Sequence, residues 1–152
     1  MRKCIVGGCV VVHNGRVLLP KHKKLGVWLY PGGHMEPNET PLDAALRETE
    51  EETGMKVRLV DTSGRKRITD KVASEPPQPI AMMLEKVPYK NGPHIHFDLI
   101  YLAVPRDKGR VRIRKRESEG FRWFLESDIK RIKTYKNVHE VVRRAFDYAK
   151  AF

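Results

Sequence analysis

Three glutamates are the residues of this chain best suited to chemistry. Glu48, Glu51 and Glu52 stand at positions i, i+3 and i+4, and this spacing brings their side chains to one surface of an α-helix. Clustered like charges repel one another unless a cation neutralises them. Carboxylate oxygens are preferred ligands of hard divalent cations, and such cations serve phosphate chemistry. The spacing therefore predicts a metal site, with a solvated acidic helix face as the alternative.

The flanking residues carry the signals of a helix that begins near Thr40 and ends near Gly54. Thr40 suits the N-cap, Pro41 loses no hydrogen bond in the first helical position, and Asp43 falls where a capping-box acid stands. Gly54 suits the left-handed residue that closes a helix. Other side chains recur at the helical period and predict a buried stripe beside the acids: Leu42, Ala45, Leu46, Thr49 and Thr53.

The acids belong to a longer pattern, which reads GHMEPNETPLDAALRETEEETGM from Gly33 to Met55. Its fixed positions are Gly33, Glu39, Arg47, Glu48, Glu51, Glu52 and Gly54. This pattern is the signature of the Nudix hydrolases, which the chain resembles at every fixed polar and glycine position. Thr49 is the one departure, since an aliphatic residue is usual there. The resemblance implies an α/β/α sandwich with a mixed sheet between helices, and attack of water on a diphosphate bond with magnesium or manganese bound.

The resemblance also implies roles for single residues. The acids expected to ligate the metal ions are Glu48, Glu51 and Glu52, and Glu48, Glu51 and Arg47 are expected to be catalytic. Gly32 or Gly33 would add a backbone carbonyl, because a glycine lets the main chain approach closely. Glu39 is expected to pair with Arg47 and to hold the loop against the helix. Arg47 also precedes Glu51 by one helical turn, which favours an ion pair.

The general base is less well defined, since Nudix members use either a glutamate of the helix or an acid of a distant loop. Glu117 and Glu119 precede the aromatic segment at 121–124, where such a loop acid is often found. We prefer Glu119, as a base or a fourth metal ligand. The alternative for both residues is an exposed surface charge.

His94, His96 and Asp98 alternate along a predicted strand, so their side chains share one face of the sheet. A polar row that lines the substrate pocket is one interpretation. A zinc site with three protein ligands is a second, and a hydrated sheet face is a third.

Two basic segments could contact a polyanionic substrate. His22 and Lys24 lie in a basic loop before Trp28, where they could meet a phosphate or sugar. Trp28 or Tyr30 could stack on a base, although each is more often a core or rim residue. Four arginines alternate further along and, if extended, form a ladder that could contact polyphosphate or RNA: Arg110, Arg112, Arg114 and Arg116. A solvated edge strand is the more ordinary interpretation of that ladder.

The length of 152 residues suits a single domain over 1–152. The net charge of +11 favours polyanionic partners such as nucleotides or nucleic acid. No apolar run approaches the roughly 20 residues of a membrane span, so we expect a cytoplasmic protein. Charged residues make up 32% of the chain with few amides, a bias that resembles thermophile proteins. Cys4 and Cys9 point to opposite faces of a strand and are expected to stay unpaired.

Hydrophobic patterning predicts a sheet of mainly hairpin-connected strands. The predicted strands are 4–13, 16–20, 27–30, 56–62, 80–88, 95–104 and 121–125, with a loop at 63–79 and a terminal helix at 138–152. Three hypotheses follow for the function. The first is metal-dependent hydrolysis of a nucleoside diphosphate linked to another group, or of a nucleoside triphosphate. The others are removal of a cap or pyrophosphate from RNA 5′ ends, and a catalytically silent nucleotide-binding module. Members of the family often pair, so a homodimer is one possible state, and the sequence leaves the oligomeric state open.

Overall fold

The computed structural model describes residues 1–111 and 120–151. This part contains seven strands and two α-helices. The strands are β1 Arg2–His13, β2 Arg16–Pro20, β3 Gly32–His34, β4 Val57–Leu59, β5 Ala81–Val87, β6 His94–Pro105 and β7 Phe121–Leu125. The helices are α1 Pro41–Thr53 and α2 Lys136–Ala149, and short 3-10 turns occupy Lys108–Arg110 and Glu126–Arg131.

The centre of the sheet is a long parallel pairing of β1 with β6, in register from Arg2 opposite His94 to Val11 opposite Ala103. The main order is β4–β6–β1–β2–β7, with β3 also paired to β1 and β5 also paired to β6. All pairings other than β1 with β6 are antiparallel. The sheet of the described residues is therefore mixed, as the sequence predicted.

The two helices cover opposite faces of this sheet. Cys9 and Val11 of β1 pack in one buried cluster with Ala45 of α1. Val10 and Val12, which alternate with them, pack in the other cluster with residues of α2. Since successive side chains of a strand point to opposite faces, α1 and α2 lie on different sides. The predicted α/β/α arrangement is confirmed.

The glycine segment after Pro31 differs from the expectation. The strand expected at 27–30 is reduced to a single bridge between Trp28 and Lys21. The regular strand is Gly32–His34 instead, which pairs with Val6, Gly7 and Gly8 of β1. Glycines seldom signal a strand, but here their missing side chains let two backbones lie close together.

Most of the remaining elements lie near their expected bounds, but β4 covers only Val57–Leu59 of the strand expected at 56–62, and α2 begins at Lys136 instead of Val138. The only β-pairing within loop 63–79 is the isolated bridge between Thr69 and Ser74. Cys4 and Cys9 are both free, as expected. Within the ranges that the structure describes, no helix has the length and apolar character needed to cross a bilayer. The single domain, the cytoplasmic location, the thermophilic origin and the homodimer stay predictions.

Packing of α1 on β1 leaves no room for a side chain at Gly7. A Cβ there would lie 2.1 Å from the carbonyl oxygen of Pro41 and 3.1 Å from the backbone nitrogen of Ala45. We expect Gly7→Ala to lower the free energy of unfolding by roughly 3 kcal/mol, because helix and strand must move apart. Urea unfolding followed by circular dichroism measures this loss.

Gly109→Ala is the matched control for that substitution. The nearest atom to a Cβ at Gly109 is the Asp107 carboxyl oxygen at 3.3 Å, the end of a side chain rather than backbone. Equal losses of stability in the two variants would contradict the packing account of Gly7.

Candidate active site

Helix α1 is fixed at both ends by local hydrogen bonds. The Asp43 amide donates to the Thr40 hydroxyl at 3.2 Å, and the Thr40 amide donates to the Asp43 carboxylate at 2.9 Å. This reciprocal capping box satisfies two amides that have no partner in the helix. Gly54 has a φ of 72° and closes the helix with its amide on the Glu50 carbonyl. The predicted caps are therefore confirmed, and they set which way each acid of α1 points.

Arg47 is the centre of the polar contacts between α1 and the loop before it. Its Nε and Nη2 bind the two carboxylate oxygens of Glu39 at 2.8 and 3.0 Å, and Nη2 also donates to the His34 carbonyl at 3.0 Å. Such a bidentate ion pair is among the strongest polar contacts in proteins. The hydrogen bond from Arg47 lowers the pKa of Glu39. The expected pairing of Glu39 with Arg47 is confirmed.

The same guanidinium reaches two of the three candidate metal ligands. Nη1 of Arg47 lies 2.9 Å from Glu48 and 3.3 Å from Glu51. Glu48 also lies against Gly33, where a Cβ would come within 2.5 Å of its carboxyl carbon. The absence of a side chain at Gly33 thus lets the Glu48 carboxylate rest on the loop backbone.

Glu52 completes the acidic cluster in a different way. Its carboxyl accepts a hydrogen bond from the Gly32 amide and, when protonated, donates one to Glu48. Burial of the carboxyl, followed by the repulsion of Glu48, raises the pKa of Glu52 to about 7. A glutamate that resists ionisation at neutral pH marks a place where negative charge exceeds positive charge.

The carboxylates offer donors that suit a hard divalent cation, but they are not arranged as a finished site. In ranges 1–111 and 120–151, no three His, Cys, Asp or Glu side chains converge to hold a metal ion. Arg47 engages Glu48 and Glu51, and a proton shared with Glu52 offsets part of the remaining charge. A cation among these oxygens would replace that proton and relieve the crowding, so the donor set fits Mg²⁺ or Mn²⁺.

The row of His94, His96 and Asp98 lies on the α2 side of the sheet. It is beside residues 31–34, which include the short strand β3 and which we call the glycine loop. The His96 ring stands edge-on to His34 with ring centroids 4.8 Å apart, and its Nε2 lies 3.1 Å from the Tyr89 hydroxyl. The Tyr89 ring lies 4.3 Å from the ring of His94. These contacts, and the absence of a convergent ligand group among the described residues, speak against the zinc interpretation. His34 connects the row to the α1 acids, because it follows Gly33.

Asp98 departs from the rest of this row. It is only 5% exposed and accepts a hydrogen bond of 2.8 Å from the Tyr30 hydroxyl. Glu85 of β5 shares a hydrogen bond with it and receives a longer one, 3.4 Å, from the same hydroxyl. Burial, and then the charge of Asp98, raises the pKa of Glu85 to about 8, and burial raises the pKa of Asp98. The pair therefore keeps a proton at neutral pH, and Asp98 is a structural anchor more than a pocket surface.

The other residues predicted to contact substrate lie partly in the core and partly in an exposed loop. Trp28 is 6% exposed and packs edge-on against Phe124, with the Lys21 ammonium 5.5 Å from its ring centroid. It is a core residue and presents no free ring face to a base, which corrects the stacking hypothesis. His22 holds its own loop, because its Nδ1 accepts from the Leu25 amide. Lys24 is exposed in the same loop.

Several predicted residues lie outside the described part of the chain. These are the loop acids Glu117 and Glu119 and the ladder residues Arg112, Arg114 and Arg116. The backbone of Arg110 ends the 3-10 turn Lys108–Arg110, so an extended ladder does not begin there.

Sequence reasoning missed His34 and Glu85. The Asn91-Gly92 turn would have been the signal for Glu85, since it predicts antiparallel pairing of the flanking strands. In that pairing Glu85 stands opposite His96, diagonal to Asp98. His34 gave no comparable signal, because its contact with His96 depends on the pairing of β3 with β1.

The bidentate ion pair between Arg47 and Glu39 leads to a prediction for Arg47→Lys. Lysine keeps the charge but cannot bind both carboxylate oxygens and the His34 carbonyl in one plane. We expect the melting temperature to fall by roughly 3–6 °C. Differential scanning calorimetry measures the change. Arg143→Lys, at an exposed pair with Glu140 at 3.7 Å, is the control, and an equal fall there would contradict the special role of Arg47.

The carboxyl pair leads to a prediction for the pH dependence of stability. The folded protein holds a proton on Glu85 up to about pH 8, whereas the unfolded chain releases it near pH 4.5. The folded state thus binds more protons in this window, and its stability falls as pH rises. We expect Glu85→Gln, which needs no proton, to be more stable than wild type at pH 8 by about 1 kcal/mol or more, after allowance for solvent screening.

Urea unfolding at pH 5 and pH 8 compares the two proteins, with Glu140→Gln on the exposed side of α2 as the control. The advantage of Glu85→Gln must disappear towards pH 5. A constant difference at both pH values would show that Glu85 titrates as an ordinary surface acid.

Comparison with known proteins agrees with this geometry. The profile of the NUDIX domain matches residues 2–146. A solved hydrolase of the NUDIX family from Clostridium perfringens superimposes with a TM-score of 0.73 at 26% identity, and the match covers 98% of this chain and 99% of that chain.

Two curated relatives match over shorter segments. A bis(5′-nucleosyl)-tetraphosphatase of Rattus norvegicus is 39% identical over 61 residues, which are 40% of this chain and 42% of the rat protein. An RNA pyrophosphohydrolase of Erythrobacter litoralis is 49% identical over 43 residues, which are 28% of this chain and 26% of that protein. This chain therefore spans less than half the length of these two relatives. With the profile match along most of its length and the acids of α1 set against the glycine loop, the chain belongs to the Nudix hydrolase family.

Proposed function

We propose that this protein hydrolyses a diphosphate bond in a nucleoside diphosphate linked to another group, or in a nucleoside triphosphate. Mg²⁺ or Mn²⁺ would be held by Glu48, Glu51 and Glu52, with a backbone carbonyl of Gly32 or Gly33. The observation that carries this proposal is the crowding of the Glu52 carboxyl against Glu48: burial, and then the charge of Glu48, raises the pKa of Glu52 to about 7 although the Gly32 amide donates to it. Such crowding is costly in a protein that has no cation to bind there.

The bound cation would offset phosphate charge and activate the attacking water. The residues of the chain itself would hold the metal ligands in position. Arg47 binds Glu39 and the His34 carbonyl and so keeps α1 against the loop. Glu48 rests on Gly33, where no side chain intervenes. Glu51 has a side chain 58% exposed and can turn from Arg47 towards a ligand. The general base stays a prediction, with Glu119 as the preferred loop candidate.

The nucleoside would lie on the α2 side of the sheet, at the place where His34 connects that side to the acids of α1. His34 directly follows Gly33, and its ring contacts His96. His94 and the exposed Tyr89 extend this polar surface away from the glycine loop. Imidazole and phenol groups bind bases and sugars through hydrogen bonds and ring contacts. His22 and Lys24 belong to a separate loop and are proposed to meet phosphate oxygens further from the scissile bond.

Hydrolysis at RNA 5′ ends is the second candidate. The net charge of +11 favours it, since a polyanion gains more from a basic surface than a single nucleotide does. The name of the Erythrobacter relative points in the same direction. A silent binding module has less support, because binding alone requires no crowded carboxylates.

A hydrolysis screen tests the proposal. Substrates would be dinucleoside polyphosphates, nucleoside triphosphates, ADP-ribose, nucleotide sugars and 5′-triphosphorylated RNA, each with and without EDTA. We expect Mg²⁺-dependent release of phosphate or a nucleoside monophosphate from at least one of them. Glu52→Gln should lower turnover of that substrate by roughly 100-fold or more, because it removes a charged oxygen ligand.

Glu50→Gln is the matched control on the same helix, since Glu50 is exposed and lies 4.0 Å from Lys56. It should keep wild-type turnover, and both variants should keep the wild-type circular dichroism spectrum. Turnover that is insensitive to EDTA, or unchanged in Glu52→Gln, would refute the metal assignment. Cleavage of single nucleotides without cleavage of RNA would exclude the second candidate.

A further inference from the structure

Tyr30 occupies an unusual place between the sheet and the glycine loop. Its ring lies against β1, where a Cβ added to Gly8 would come within 3.0 Å of the ring carbon Cε2. Its hydroxyl lies on the α2 side of the sheet, where it donates to Asp98 at 2.8 Å and, over a longer distance of 3.4 Å, to Glu85. Burial and the two neighbouring carboxyls raise the pKa of Tyr30, so the hydroxyl keeps its proton. Tyr30 is therefore held at both ends of its side chain.

Two of the three residues after Tyr30, Gly32 and Gly33, contact the acids of α1. The Pro31 carbonyl accepts from the Cys9 amide at 3.0 Å, which ties the loop to β1. A Cβ on Gly32 would lie 2.7 Å from the Gly7 carbonyl oxygen, so the loop backbone is pressed on the strand. The Gly32 amide then donates to Glu52, and the backbone of Gly33 lies against the Glu48 carboxyl.

We propose that Tyr30 is a positioning residue for the metal-binding loop: its hydroxyl, bound by the Asp98–Glu85 carboxyl pair, keeps Gly32 and Gly33 in contact with Glu52 and Glu48. The role of the loop in metal binding rests on the function proposed above. The claim that Tyr30 holds the loop in place rests only on the contacts of Tyr30. The positioning role and the metal-dependent function can therefore be tested separately.

The carboxyl pair is suited to this task because it is stable without a cation. Burial raises the pKa of both acids, so the pair retains one proton and offers a fixed acceptor to the Tyr30 hydroxyl. His96 stands opposite Glu85, but burial followed by the neighbouring His34 and His94 lowers its pKa, which keeps its ring neutral near pH 7. The pair therefore needs no cation to accept the hydrogen bond of Tyr30.

Tyr30→Phe tests the proposal, since it keeps the ring over Gly8 and removes only the hydroxyl. The first readout is amide hydrogen exchange at Gly32 by NMR in the metal-free protein, which reports opening of the loop. We expect exchange to accelerate roughly 5- to 30-fold, the range that corresponds to loss of one hydrogen bond to a buried carboxyl. The second readout is Mn²⁺ affinity by titration calorimetry, which should fall in the same direction.

Val142→Ala is the control for general loss of stability. Val142 is buried in α2 and packs in the core on the same side of the sheet as Tyr30, but it belongs to neither the loop nor its anchor. Its melting temperature should fall while Gly32 exchange and Mn²⁺ affinity stay at the wild-type level. A double-mutant cycle with Asp98→Asn adds a second check, because the exchange effects of the two substitutions should be less than additive if they act through one hydrogen bond.

The outcomes separate this inference from the proposed function. Unchanged Gly32 exchange in Tyr30→Phe, or a rise matched by Val142→Ala, would overturn the anchor. Faster exchange with unchanged Mn²⁺ affinity would overturn its role in metal binding. Faster exchange in Tyr30→Phe, with no Mn²⁺ bound even by the wild-type protein, would support the anchor and refute the metal-dependent function instead.

Discussion

Repulsion among the acids of α1 is the constraint on which the rest of this structure depends. Three glutamates share one flank of a short helix, and something positive must stand near each of them. Arg47 contacts Glu48 and Glu51 with its single positive charge, and a proton shared with Glu52 removes one negative charge, so the cluster keeps an excess of negative charge. Arg47 can do this only because Glu39 and the His34 carbonyl fix its guanidinium in one plane. The loop, the helix and the charge balance thus form one unit, in which the entry of a divalent cation would shift every partner.

Close backbone contact is the second condition of the site. Side chains are missing at Gly7, Gly8, Gly32 and Gly33, and the contacts that result join β1, the loop and α1 at distances too short for a Cβ. Each missing side chain makes room for a different neighbour. The Pro41 carbonyl lies against Gly7, for example, and the Glu48 carboxyl lies against Gly33. A main chain that approaches this closely brings amides and carbonyls within reach of ligand oxygens, which bulkier residues would prevent.

The sequence was most informative where structure is local. Thr40, Pro41, Asp43 and Gly54 signal the ends of α1 through contacts with residues a few positions away, so the helix and its acidic flank could be predicted well. The Tyr30–Asp98–Glu85 contact was beyond reach, because it joins a loop to two strands whose register had first to be known. Trp28 shows a different limit, since an aromatic residue beside a basic loop has the same appearance in a sequence whether it faces solvent or core. The prediction for β3 failed because glycines carry no side-chain pattern.

The parallel pairing of β1 with β6 also has a consequence for how the chain is made. Strand β1 finds its main backbone partner in β6, residues 94–105, so that edge of β1 stays unpaired until β6 has left the ribosome. Contacts between such distant segments form slowly, and exposed strand edges in the meantime favour association with other chains. The opposite edge of β1 is paired earlier, by β2 at Val11–His13 and by β3 at Val6–Gly8. Nascent chains of this protein should therefore depend on holding factors during synthesis more than a helical bundle of equal size.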